Sequence, residues 1–140
     1  MTPKEECEVL LDTLLTATEN LLKRNKDFYP IGAVMTQEGT TTYTAIHSDD
    51  EFPNSETVIN DLITAHRKMA EKNEIKASGI AWNAAIVTFD GQKSDAIIVS
   101  LEHQGNYSVT VGLPYKLGLF KNIKFGELFA EEGKNDVFNK

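Results

Sequence analysis

The chain has 140 residues, 41% of them hydrophobic and 25% charged, a balance that supports one packed domain and excludes a disordered or fibrous chain. Its net charge of −7 argues against nucleic acid as a partner, because a phosphate backbone is held by clustered Lys and Arg. Cys7 is the only cysteine, which excludes an internal disulfide; with no basic-then-apolar leader and no spanning-length apolar run, a cytoplasmic location and no membrane partner are expected.

Thr2-Pro3-Lys4-Glu5 reads as a helix start, with Thr2 capping, Pro3 at the first helical position and Glu5 completing a capping box. Leu10, Leu14, Ala17 and Leu21 then repeat at helical spacing, and the helix should end near Lys23 to Lys26, where cations suit its dipole. Cys7 falls in the first turn, where Glu5, Glu6 and Glu8 oppose any lowering of its pKa, so an inert thiol is expected. Ile31 to Met35 is a short apolar strand, Gln37-Glu38-Gly39 a turn, and Thr40 to His47 a threonine-rich return strand suited to a sheet edge. Ser48-Asp49-Asp50-Glu51 forms an acidic loop, after which Asn54 or Ser55 caps a second helix. That helix carries Val58, Ile59, Leu62, Ile63, His66, Met69 and Ala70 on one side and runs out near Asn73.

Lys76 to Val87 is the third strand, and Asp90-Gly91 turns the chain into a hairpin of Ser94 to Tyr115, bent at His103-Gln104-Gly105-Asn106. Ile97, Val99 and Leu101 share a face with Tyr107, Val109, Val111 and Leu113, the period-two pattern of a half-buried sheet. Beyond it, Lys116 to Asn122 reads as a connection, Ile123 to Phe125 as extended, Gly126 to Glu132 as a short terminal helix, and Val137 with Phe138 as an apolar anchor. The element order α-β-β-α-β-β-β-α predicts one α+β domain over residues 1–140. The expected form is a two-layer sandwich of two main helices on a mostly antiparallel five-stranded sheet, its last strand beside the first. This order is similar to that of profilin-like and roadblock-type domains.

No HExxH, paired CxxC, GxSxG, Walker or dinucleotide-binding motif is present, so no catalytic residue, metal or cofactor is expected. Asp49, Asp50 and Glu51, next to His47, are the best candidates for a cation or a basic partner, without the ligand alternation of an EF-hand. Glu102 and His103 are an acid–base candidate at a hairpin tip, where His103 is expected to be solvent-exposed; as adjacent strand residues their side chains should diverge. His66, on the apolar face of its helix, reads as a partly buried, hydrogen-bonded residue rather than a ligand, and Trp82 with Tyr107 and Tyr43 as core aromatics or pocket walls. Asn83, Gly79 and Gly112 are out of place in apolar strands and mark a bulge, a helix packed tight against the sheet, or the close approach of a ligand or another backbone.

Phe28-Tyr29-Pro30-Ile31-Gly32, Ser94-Asp95-Ala96-Ile97, Leu101-Glu102-His103, Leu113-Pro114-Tyr115 and Gly126-Glu127-Leu128-Phe129-Ala130 together resemble a family of small, uncharacterised bacterial proteins. The resemblance implies a single-domain cytosolic protein and brings no reaction or cofactor with it. Asp95, Glu102, His103 and Tyr115 are the positions in those motifs where a site would be sought.

Small size, acidity and absent catalytic motifs lead to a non-enzymatic binding protein, in its specific form an immunity-type protein that masks a basic toxin. The alternatives are a small-molecule sensor with a pocket near Trp82 and His66, and an enzyme using Glu102 and His103. A homodimer through a sheet edge is compatible with each of these.

Overall fold

Thr2 caps the first helix as its sequence predicts: its hydroxyl accepts from Glu5 N while Glu5 reaches back to the Thr2 N–H. The helix, α1, spans Pro3–Asn25 and ends on Lys26 in the left-handed conformation, whose N–H donates to Leu22 O. A second helix, α2, spans Ser55–Glu71 behind an Asn54 cap. The computed structural model describes residues 1–45 and 54–138.

Seven strands form one sheet among these residues: β1 (Ile31–Thr36), β2 (Thr41–Thr44), β3 (Ile75–Val87), β4 (Lys93–His103), β5 (Tyr107–Leu117), β6 (Ile123–Phe125) and β7 (Phe129–Glu132). Their order is β2-β1-β3-β4-β5-β6, with β7 also paired to β5, and every pairing is antiparallel. The α+β class, the antiparallel sheet and the two main helices agree with expectation. The strand count of five does not, nor does the last strand lying beside the first.

β3 takes the place beside β1 because it can be covered on both faces. Ala77, Gly79 and Ala81 are small and admit α1 closely; a methyl at Gly79 would sit 2.7 Å from Leu14 Cδ1. Ser78, Ile80 and Trp82 point the other way, to α2. The two helices thus lie on opposite faces of the sheet, and the two-layer expectation gives way to a helix–sheet–helix arrangement. The buried runs Gly32–Met35, Ala77–Ala81 and Ala96–Val99 follow from this, since a strand covered on both sides shows no alternation. The larger core joins Cys7, Leu10, Leu14 and Leu22 of α1 to Ile97, Val99, Leu101, Val111 and Leu113, and the smaller joins Val58 and Leu62 of α2 to Ile80.

The segment expected as a terminal helix is strand β7. Gly112 on β5 lacks a side chain, and the ring of Phe129 fills that space; a methyl there would lie 2.6 Å from Phe129 Cε1. This cross-strand fit, with the ladder that accompanies it, outweighs the helical preference of Glu-Leu-Phe-Ala. The chain then crosses the α2 face of the sheet, where Val137 is buried as an anchor and Arg67 Nε donates to Asp136 O at 2.9 Å. No helix among the described residues is long and apolar enough to cross a membrane.

Candidate functional site

Glu102 and His103 end β4, and the pleat sends them to opposite faces. His103 is not the exposed turn residue expected from sequence: it is 6% exposed and packs beneath the N-terminus of α1. Its Nδ1 accepts from Gly105 N at 2.9 Å, so the ring proton sits on Nε2, 3.1 Å from Glu6 Oε1. The other carboxylate oxygen of Glu6 pairs with Lys76 Nζ at 2.5 Å. Lys76 holds the Glu6 carboxyl below its usual pKa, against the opposing effect of burial, with His103 adding to the lowering. Each oxygen of the Glu6 carboxylate therefore has a partner within the fold.

Glu102, on the far face, grips the C-terminal segment. Its Oε1 accepts from Val137 N at 3.0 Å and Phe138 N at 3.2 Å, and its Oε2 from Asp136 N at 3.2 Å. Burial raises its pKa, and the three backbone donors oppose that rise without cancelling it. Three of the four lone-pair directions of this carboxylate are taken by backbone N–H groups, and His103 is on the other side of the sheet. The pair does not form an acid–base couple.

His66 is fully buried between two hydroxyls, Thr44 Oγ1 at 2.7 Å from Nε2 and Ser78 Oγ at 2.7 Å from Nδ1. Burial lowers its pKa to about 4, so it is a neutral core residue, as its position on the apolar helix face predicts. On the same side of the sheet Val58, Leu62, Ile63, Ile80 and Trp82 pack together. Tyr43 and Tyr107 lie on the α1 side, away from Trp82: Tyr43 donates to Thr13 O and Tyr107 packs on the larger core.

Asp95 and Tyr115 are brought together as cross-strand partners. The buried Tyr115 hydroxyl donates to Asn83 Oδ1 at 2.6 Å, and Asn83 Nδ2 donates to Asp27 Oδ1 at 2.8 Å, which also accepts from Phe28 N. This explains the amide on an apolar strand: Asn83 joins the end of α1 to β5. Burial raises the Tyr115 pKa, and its acceptor is an amide rather than a base, so the chain of bonds positions and does not transfer protons. Asp27 and Asp95 open onto a polar hollow of about 230 Å³ shared with Ser55 and Asn83. A larger groove of about 460 Å³ runs between α1 and β1–β2, its walls including Leu21, Ile31 and Tyr43, with Arg24 its charged group.

Asp49, Asp50 and Glu51, together with His47, lie outside the described residues. Sequence reasoning passed over Glu6, Lys76 and Asp27. Glu6 carried a signal, since it stands four residues before Leu10 on the apolar stripe; Lys76 and Asp27 carried none, their partners being fixed by pairing across the sheet. Among the described residues every buried side-chain nitrogen and oxygen has a hydrogen-bond partner, and no three His, Cys, Asp or Glu side chains converge. No family model, curated protein or solved structure matches the chain.

Proposed function

We propose that this is a non-enzymatic binding protein whose partner is a basic protein, its specific form being an immunity-type protein that neutralises a basic toxin in the cytoplasm. The observation that carries this reading is an acidic stripe on α1. Glu5, Glu8, Asp12 and Glu19 are spaced by three, four and seven residues, which sets them along the side of the helix turned away from Leu10 and Leu14. Such a stripe steers a cationic surface and fixes its register more than it adds affinity. The inward ionisable groups Glu6, His66, Glu102 and His103 support the same reading, because each is spent on holding the fold.

The test is capture by the tagged full chain from the cells that produce it, with identification of bound proteins by mass spectrometry at low and high salt. One recurrent cationic protein in near-stoichiometric amount, released by salt and lost with Glu8→Lys/Asp12→Lys, is the expected result. Absence of such a partner, or capture indifferent to the charge reversals, would sink the reading.

A further inference from the structure

Charge and apolar surface are unevenly distributed over this molecule, and both concentrate at one end of the sheet. The turn joining β3 to β4 and the turn joining β5 to β6 lie side by side there, because Val87 pairs with Lys93, Asp95 with Tyr115 and Leu117 with Ile123. Strand spacing of about 4.8 Å puts the two turns roughly 10 Å apart. Phe89 stands at the tip of the first, 111% exposed, and Leu119 and Phe120 at the tip of the second, 82% and 98% exposed. Val87, Leu117 and Phe125 continue the apolar surface down the α1 side of the strands, below the point where α1 ends.

These rings are held out rather than loose. Thr88 N donates to Gln92 O and Gly91 N to Thr88 O in the first turn, and Thr88 Oγ1 bonds Asp90 Oδ1. In the second, Gly118 N donates to Asn122 O and Asn122 N to Leu119 O, with Phe120 in the left-handed conformation at φ 58°. A bulky non-glycine residue rarely adopts that conformation, and here it aims the ring away from the sheet.

The same end is basic. Residues 87–93 and 116–125 hold four lysines, Lys93, Lys116, Lys121 and Lys124, and one acid, Asp90, a net charge of +3 in a chain of net −7. The other ten Lys and Arg therefore face twenty Asp and Glu, so the remainder of the molecule carries −10. Lys93, Lys116 and Lys124 are exposed, and the register puts Lys93 on one side of the apolar tips and Lys116 with Lys124 on the other. Asp95, two residues from Lys93, and Glu127, two residues beyond Phe125, flank this basic region. The acidic stripe of α1 begins at the opposite end of β3, a strand about 40 Å long, well outside a screening length of about 8 Å.

From this arrangement we propose that the two turns form a docking surface for an anionic lipid bilayer, the aromatic tips entering the headgroup layer and the lysines resting on acidic headgroups. A bilayer fits better than a second copy, because pairing two such ends would bring the exposed Lys93, Lys116 and Lys124 of both copies together. It fits better than a cationic protein for the same reason. Separate protruding tips suit a phase that yields around them, and lysines beside them reach headgroups with their stems on apolar surface. The sequence excluded a spanning segment; contact from one side needs none.

The experiment is flotation of the full chain with vesicles of phosphatidylcholine alone or mixed with phosphatidylglycerol. Binding to the mixed vesicles, falling at least tenfold on the neutral ones and falling again at high salt, is expected, with each lysine replaced by glutamine costing roughly fivefold. Phe89→Ser/Phe120→Ser should abolish flotation while the circular dichroism spectrum is unchanged, since neither ring touches the core. Failure of the wild-type chain to float with anionic vesicles would overturn the proposal. So would equal flotation of the serine variant, or light scattering that shows the tips pairing two copies of the chain.

Discussion

Glu102→Ala removes the acceptor of three backbone N–H groups at once, and the structure says how much of that loss should be felt. The Val137 N–H is buried with its carboxylate partner, whereas those of Asp136 and Phe138 are partly open to water, which can replace the lost bonds. One orphaned donor, together with the space left behind, should cost about 2–4 kcal/mol. Relief of the desolvated charge subtracts from that figure. Glu102→Gln keeps an acceptor for Val137 and gives the same relief, so it should cost less than alanine. For a chain of this length the alanine variant should melt roughly 6–14 °C lower. Residues 136–138 should lose hydrogen-exchange protection even if the segment peels away alone. The pH dependence follows from the raised pKa of Glu102. Between the ordinary 4.5 and its raised value the folded state binds the extra proton. The stability it contributes is therefore complete below 4.5 and lost as pH rises through the folded pKa, a slope that Glu102→Gln abolishes. Glu131→Gln, on an exposed position of β7, serves as control. Equal damage from alanine and glutamine, or exchange at 136–138 unchanged by alanine, would refute the reasoning.

His66 has its pKa lowered to about 4, so the unfolded chain takes up a proton that the folded one refuses as pH falls from 6.5. Stability should drop by roughly 3 kcal/mol across that interval, and His66→Gln should flatten this part of the pH–melting curve. Gly112→Ala should push Phe129 off β5 and cost about 1–3 kcal/mol, with the cost largely absent when Phe129→Ala is already present, as a double-mutant cycle in denaturant will read. Cys7 is 1% exposed and burial pushes its pKa up to about 12, so a thiol reagent should label it only after denaturation. Rapid labelling of the native chain would contradict its place on the buried face of α1.

The parts of the fold legible in the sequence are those whose cause is local. The Thr2 capping box, the apolar stripe of α1, the Asn54 cap and the shared face of Ile97, Val99 and Leu101 each depend on residues a few positions apart, and each stands where expected. The parts misread depend on residues far apart. Gly-Glu-Leu-Phe-Ala looks helical until Gly112 offers Phe129 a seat, and the two-layer expectation fails because the register places Ala81 opposite Val99 and leaves Ile80 and Trp82 on the other face, with α2. His103 shows the limit for a site residue: a histidine beside Gln-Gly-Asn reads as a turn, and only Glu6, 97 positions away, makes it a buried one.

Burial of both sheet faces also decides where this protein can meet anything else. α1 closes one side over β1, β3 and β4, and α2 with residues 133–138 closes the other. The sheet stays uncovered at its margins, where Tyr43, Val87, Leu117 and Phe125 are exposed. Contact is left to the outer sides of the helices, the strand edges and the strand ends. The helix side of α1 is acidic and the ends of β3 to β6 are basic and apolar, so the two surfaces call for opposite partners and sit at opposite ends of the long strands. A partner drawn to one is repelled by the other. Charge reversal on α1 and serine at the tips should therefore act on separate binding events, each variant leaving the other event intact; a single variant that lost both would mean that one surface serves for both.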